Sequence, residues 1–340
     1  MIIILGSNAT DEDVKTVTDI LEDAGYGGHV SRGEQRTVIG AVGTEPEMRD
    51  QLMERFRGFK FVESVVPVLK PYKLVSIESH EERSVVEVGG VPVGPGHFTV
   101  MAGPCAVESE EQTLQAARAV KEAGGRILRG GAYKPRTSPY DFQGLGEEGL
   151  EILAMAKEET GLPVVTEART TAHIEKVAEY ADAIQIGARN MQNFDLLKEA
   201  GRAGLPVLLK RGFASTIEEW LKAAEYIASV GNLNIILCER GIRTFETELR
   251  FTQDLSVVPV VNEMSHLPVI IDPSHASGVR SVVAPVSRAA MAVGADGLLV
   301  EVHPEPEAAR CDGPQQLRLH CFAELMDDLR KFGQVMHRQV

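Results

Sequence analysis

The stretch FTVMAGPCAVESEEQTLQAARAVKEAGGRILR, residues 98–129, decides the fold. It opens with an apolar run at 98–102, short enough to be a strand covered on both faces. Ser109 then supplies a hydroxyl suited to capping a helix, and Glu110 and Glu111 place two carboxylates in the first helical turn. An amphipathic helix over 110–123 and a second strand over 126–129 complete a β–α–β unit. Downstream the alternation continues, with strands expected at 163–166, 183–186, 206–209, 234–237, 268–271 and 297–300. Helices are expected in most of the gaps, for example over 146–160, 216–230 and 314–332. Eight strands with helices between them predict a closed (β/α)8 barrel over 98–340. A doubly wound open sheet is the other arrangement. Its dinucleotide-binding form is unsupported, because no Gly-x-Gly-x-x-Gly follows a first strand.

Upstream the pattern differs. Residues 1–70 read as strand 2–5, helix 11–24, strands 28–31 and 37–42, helix 45–56 and strand 62–68. That βαββαβ order is ferredoxin-like. Residues 71–97 read as a linker with a β-hairpin over 85–93 that turns at Gly89-Gly90. The 340 residues suit a barrel of roughly 250 plus one small module. A net charge of −14 argues against a nucleic-acid or anionic-membrane binder. No apolar run approaches the roughly 18 residues of a membrane span, and Met1–Leu5 lacks the basic segment of a signal peptide. Cys105, Cys238, Cys311 and Cys321 are scattered without a paired framework, so a reducing, cytoplasmic location is expected.

Barrel chemistry gathers at the C-terminal ends of the strands. Those ends carry Cys105, Arg129, Glu167, Arg189, Lys210, Arg240, His275 and Glu301. Barrel rims are polar in any case, but solubility alone would also select Ser, Asn and Thr. The four cations and neighbouring Lys134 call for a small dianion or trianion. A salt-bridge network with Glu167 and Glu301 is the plain alternative. Cys105, His275, Glu301 and Asp312 offer sulfur, nitrogen and oxygen donors, a set suited to a borderline divalent transition metal rather than Mg or Ca. Alone, each is more often a structural residue, Cys105 a buried small side chain and His275 a hydrogen-bonded loop histidine. Three of them follow strands one, seven and eight, which adjoin when the barrel closes. In the loop Arg129-Gly-Gly-Ala-Tyr-Lys134-Pro-Arg136-Thr137-Ser138, two glycines let the backbone come close to a ligand, and Lys134, Arg136, Thr137 and Ser138 offer either a second phosphate site or an ordinary polar surface loop. No Gly-x-Ser-x-Gly elbow is present.

At these residues the sequence resembles the 3-deoxy-7-phosphoheptulonate synthase (DAHP synthase) family, in its short-barrel type I beta class with an N-terminal ferredoxin-like regulatory domain. The matching segments are Gly103-Pro-Cys-Ala-Val-Glu-Ser109, residues 129–144, Ile186-Gly-Ala-Arg-Asn190 and Leu209-Lys-Arg-Gly212. Cys238-Glu-Arg-Gly241, Asp272-Pro-Ser-His-Ala276, Val300-Glu-Val-His-Pro304 and Asp312-Gly-Pro complete them.

The resemblance implies condensation of phosphoenolpyruvate with erythrose 4-phosphate, the entry to the shikimate route. It implies Cys105, His275, Glu301 and Asp312 as ligands of Mn, Fe, Co or Zn. It gives phosphoenolpyruvate to Arg129, Lys134, Arg189, Lys210 and Arg240, and the sugar phosphate to Pro135, Arg136, Thr137 and Ser138. Lys134, Cys105, His275 and Glu167 would be the catalytic groups. His29 and Ser31 on the second strand match an effector-binding pattern, so inhibition by tyrosine or phenylalanine and a homotetramer are expected. The sister activity, 3-deoxy-D-manno-octulosonate 8-phosphate synthase, has a loop resembling Lys-Ala-Asn-Arg-Ser-Ser. Lys134-Pro135-Arg136-Thr137-Ser138 departs from it and favours the four-carbon sugar. A non-catalytic sensing barrel would have lost a metal donor or Lys134, and all are present.

Overall fold

The N-terminal residues build a four-stranded antiparallel sheet backed by two helices. The computed structural model describes residues 1–6, 9–32, 37–42, 46–66, 71–80, 82–135 and 138–340. Strand β1 (Ile2–Leu5) lies between β3 (Thr37–Val42) and β4 (Val62–Val66), and β2 (Gly27–Arg32) pairs with β3. Helix α1 (Asp11–Asp23) follows β1, and α2 (Pro46–Arg57) follows β3. Thr10 and Asp13 form a capping box at the start of α1, each side chain accepting from the other's backbone N–H. Val14, Val17, Ile20 and Leu21 of α1 bury one face in a core with Ile3, Leu5 and Ile39. The βαββαβ order expected from the sequence is the one observed.

The chain divides into two units, Met1–Pro71 and Tyr72–Val340. The hairpin of β5 (Val86–Val88) and β6 (Val91–Val93) belongs to the second. The remaining strands are β7 (Thr99–Gly103), β8 (Ile127–Arg129), β9 (Val164–Glu167) and β10 (Ala183–Ile186). Then come β11 (Val207–Lys210), β12 (Ile235–Glu239), β13 (Val269–Ile271) and β14 (Gly297–Glu301). Each pairs in parallel with the next, and β14 closes on β7. All eight are buried along their length, which is why they read as apolar runs rather than alternating ones. Met101, Ile127, Val165, Leu208, Ile236 and Leu299 form one cluster with the hairpin's four buried valines. Val100, Leu128, Val164, Ile184, Leu209 and Leu237 belong to the larger cluster shared with the helices.

Those helices are α3 (Glu110–Glu122), α4 (Glu147–Thr160), α5 (Ile174–Tyr180), α6 (Phe194–Arg202) and α7 (Ile217–Ala228). They continue with α8 (Val257–Met264), α9 (Pro273–Ser277), α10 (Arg280–Ala292) and α11 (Leu319–Met336). The last corrects an expectation, since a helix was predicted over 314–332. Gly313–Gln315 form a 3-10 turn instead, and Leu317 extends alongside the end of β14. The Leu317 N–H donates to Glu301 O at 2.8 Å, and its carbonyl accepts from His303 N at 2.9 Å. Pairing this strand end outweighs helical continuation. Among the described residues no helix is long and apolar enough to cross a membrane.

Candidate active site

Four side chains meet beyond the ends of β7, β13 and β14. The donor atoms of Cys105, His275, Glu301 and Asp312 lie within 4.8 Å of one another. Asp272 caps α9 by accepting from His275 N at 2.9 Å, and Pro273 occupies the first turn. The other Asp272 oxygen, Oδ2, accepts a hydrogen bond from the His275 Nδ1–H at 2.7 Å. That leaves His275 Nε2 facing the cluster, 3.2 Å from Glu301 Oε1 and 3.9 Å from Asp312 Oδ2. A carboxylate behind an imidazole in this way fixes its tautomer and raises its donor strength.

The charge states suit a cation. Burial lowers the His275 pKa despite Asp272 and Glu301, which favours the neutral ring that a metal needs. Burial would raise Glu301, but His275 and Arg129 draw it below its ordinary value. Burial would likewise raise Asp312, and His275, Arg250 and Lys134 bring it to about 2. Only the Cys105 thiol opposes: its hydrogen bond with Cys311 and its burial push it up. A bound dication reverses that, since coordination favours the thiolate. One thiol, one neutral imidazole and two carboxylates fit a borderline divalent transition metal.

Cations stand beside this cluster. Lys134 Nζ lies 2.9 Å from Cys105 O and 3.1 Å from Cys105 Sγ. Burial opposes its charge, yet the Cys105 and Cys311 sulfurs raise its pKa. Arg129 Nη1 donates to Pro104 O at 2.7 Å and to Glu301 Oε1 at 3.0 Å. Lys210 Nζ donates to Asp272 Oδ2 at 2.6 Å. Arg240 packs over two rings, 4.2 Å from the Phe251 centroid and 4.8 Å from that of Phe213. Its burial lowers its pKa to about 10. Arg189 lies 5.3 Å from the Phe213 centroid. The salt-bridge alternative therefore holds for Arg129 with Glu301, whereas the partner of Lys210 is Asp272 rather than Glu167. Arg129 Nε and Arg240 Nη1 are buried without a partner among the described residues, which an anion would satisfy. All five cations line one cavity with Glu167 and His275.

Glu167 ends β9. Its Oε2 accepts from Gln185 Nε2 at 3.1 Å, and Oε1 is buried without a partner among the described residues. A Cβ on Gly187 would stand 2.3 Å from Oε1, so only glycine leaves this carboxylate its place. In the β8–α4 loop, Pro135 lines the cavity. Ser138 Oγ accepts from Tyr140 N at 3.3 Å, within its own turn. Arg136 and Thr137 lie outside the described residues. His29 and Ser31 sit on β2 opposite Gly40 and Val38, and their side chains lie outside what is described.

Sequence reasoning missed several neighbours. Cys311 Sγ is 3.3 Å from Cys105 Sγ, and Arg250 Nη1 is 3.5 Å from Asp312 Oδ1. Arg211 pairs with Glu239 at 3.1 Å and Asp254 at 2.9 Å, and Glu239 Oε1 accepts from Gly241 N at 2.6 Å. This network holds the chain at the ends of β11 and β12, where Lys210 and Arg240 enter the cavity. A signal was available: Arg211 and Glu239 are charged residues directly beside site residues at the ends of apolar strands.

Known proteins agree with this architecture along the whole chain. Residues 75–337 match the DAHP synthetase I family and residues 1–70 the DAHP synthase ferredoxin-like domain. The phospho-2-dehydro-3-deoxyheptonate aldolase of Thermotoga maritima is 54% identical over 336 residues, covering 99% of this chain and 98% of that protein. A 2-dehydro-3-deoxyphosphooctonate aldolase of Syntrophotalea carbinolica is 37% identical over 253 residues, 69% of this chain and 90% of that protein. The crystal structure of the Thermotoga maritima phospho-2-dehydro-3-deoxyheptonate aldolase (DAHP synthase) covers 100% of this chain and 98% of its own, with a TM-score of 0.81 at 52% identity. A matching barrel and a matching N-terminal module therefore make this chain an enzyme of the DAHP synthase family, with the ferredoxin-like domain ahead of the barrel.

Proposed function

We propose that the protein condenses phosphoenolpyruvate with D-erythrose 4-phosphate, giving 3-deoxy-D-arabino-heptulosonate 7-phosphate and phosphate, with a divalent transition metal at Cys105, His275, Glu301 and Asp312. The observation that carries the reading is the contact of Lys134 Nζ with Cys105 Sγ at 3.1 Å. It joins the metal-donor cluster to the anion-binding cations, so that an aldehyde and an enol phosphate would meet there.

Arg129, Lys134, Arg189, Lys210 and Arg240 hold the carboxylate and phosphate of phosphoenolpyruvate and place two mutually repelling substrates together. The bound metal would supply Lewis-acid polarisation of the aldehyde. Carbon 3 of phosphoenolpyruvate attacks that aldehyde carbon, and Lys134 donates its Nζ proton to the developing alkoxide. The Cys105 carbonyl and sulfur beside Nζ hold the amine in place for that transfer, and a lysine ammonium carries its proton at neutral pH. Attack leaves carbon 2 electron-poor; water oriented by Glu167 Oε1 adds there and gives one proton to that carboxylate, and the hemiketal phosphate then collapses to the ketone, its hydroxyl proton leaving with the phosphate. Pro135, Arg136, Thr137 and Ser138 receive the sugar's phosphate.

The N-terminal module is read as the sensor of an aromatic end product, tyrosine or phenylalanine, through His29 and Ser31, in a homotetramer. The rival substrate is arabinose 5-phosphate, in keeping with the phosphooctonate aldolase relatives. Phosphate release measured with each sugar tests the choice. Turnover with erythrose 4-phosphate and little with arabinose 5-phosphate is expected, and the reverse preference overturns the reading.

A further inference from the structure

We infer that the adjacent buried amides of Gln315 and Gln316 are positioning residues that set the spacing of the four-donor cluster, and so its affinity for a divalent transition metal. The inference rests on the metal-centre reading above and extends it to residues that touch neither substrate nor metal.

Cys105 and Asp312 sit on separate turns, one after β7 and one after β14. The Gln316 side chain spans them and is wholly buried. Its Oε1 accepts from Cys105 N at 3.0 Å, and its Nε2 donates to Cys311 O at 2.8 Å. One amide thus ties the backbone of the sulfur donor to the backbone immediately before Asp312. Gln315 acts on a third donor. Its Nε2 donates to Glu301 Oε2 at 2.6 Å, which leaves Oε1 turned toward His275 Nε2. Gln315 Oε1 accepts from Arg250 Nη1 at 3.2 Å, the same nitrogen that approaches Asp312 Oδ1.

The two amides are themselves anchored. Leu317, the next residue, is paired with the end of β14 through Glu301 O and His303 N. Arg280 Nε donates to Gln316 O at 2.6 Å, and Arg280 Nη2 donates to Gly313 O at 3.1 Å. Glu108 Oε1 accepts from Arg310 N at 2.9 Å on the other side of the turn. Between these anchors Asp312 adopts a left-handed backbone, φ 52°. Aspartate is one of the few non-glycine residues that adopt this conformation readily, and the anchors on either side hold it there. Position 316 needs a donor and an acceptor in one group, which glutamine supplies and glutamate at neutral pH does not. Groups behind metal ligands typically change affinity by about 10–100-fold when removed.

The test uses the full-length protein, stripped with a chelator and titrated with Co(II) against a competing chelator. The thiolate-to-cobalt absorption in the near ultraviolet reports the Cys105 bond separately from affinity. In Gln316→Met, about 10–100-fold weaker Co(II) binding with a diminished sulfur band is expected. In Gln315→Met, weaker binding with the band retained is expected, because its bond is to Glu301. Gln316→Glu is expected not to rescue the loss. Should Gln316→Met fail to fold, Gln315→Met still decides the matter through its own donor. Co(II) affinity within twofold of the parent, in folded Gln316→Met or Gln315→Met, overturns the inference. A parent protein that binds no Co(II) overturns the metal-centre reading itself.

Discussion

Lys210 and His275 converge on a single oxygen, Asp272 Oδ2, at 2.6 and 2.7 Å. One carboxylate therefore holds a cation of the anion site and the imidazole of the donor cluster. Asp272 is fully buried, which alone would raise its pKa, but His275 and Lys210 hold it well below the ordinary carboxylate range. Asp272→Asn should move two properties at once. The KM for phosphoenolpyruvate should rise and metal affinity should fall about 10–100-fold. Stability should drop by about 3–5 kcal/mol, because Lys210 is left buried without a counter-charge. Kinetics and a metal titration on the same preparation check this, and a change in only one of them would contradict the shared role.

In the proposed reaction Lys134 both binds phosphoenolpyruvate and donates a proton. Lys134→Met should therefore lower kcat by about 10²–10⁴-fold at saturating substrates, the usual range for a lost general acid. Lys134→Arg keeps the charge but not an ammonium of this size and should not restore kcat. Single-turnover phosphate release separates the chemical step from binding. A Lys134→Met enzyme altered only in KM would remove the residue from the proton-transfer step.

Acid lability should arise in part away from the cavity. Burial would raise the Asp254 pKa, yet hydrogen bonds from Ser256 and Arg211 leave it lowered. A depressed folded pKa means the stabilisation is complete above the unfolded value of about 3.9 and fades as pH falls toward the folded value. Asp254→Asn should cost about 1.5–3 kcal/mol at pH 7, as expected for a hydrogen bond to a charged group. The difference should shrink steadily below about pH 4. Urea unfolding of the metal-free protein across that window measures it, and a pH-independent difference would be the wrong result.

The N-terminal unit has its own buried core, so it can be removed as a piece. A chain starting at Tyr72 should retain condensation activity and lose inhibition by tyrosine or phenylalanine. Inhibition curves for the two lengths decide this. Undiminished inhibition of the shorter chain would place the effector elsewhere.

Much of this molecule could be read in advance. The eight barrel strands announced themselves because burial on both faces writes them as short apolar runs, and the charged residues that line the cavity lie where several of those runs end. Cys105, Arg129, Lys210 and His275 were legible for that reason. Asp272, Gln315 and Gln316 were not, because their importance is relational. Each is an ordinary polar residue until the barrel closes and brings β7, β11 and β14 to it. The helix expected over 314–332 begins later, at Leu319, on the same ground, since Leu317 is held by the end of β14, a partner more than ten residues away in sequence. Arg240 showed the converse. Its charge was evident, but not that Phe213 and Phe251 rather than an acid would face it.

Phosphate release from phosphoenolpyruvate and erythrose 4-phosphate, measured on one preparation before chelation, after it and after a divalent transition metal is returned, tests the account most directly. Turnover, then its loss, then its recovery is the expected result. Full activity in the metal-stripped protein, or no turnover with these two substrates at any stage, would contradict it.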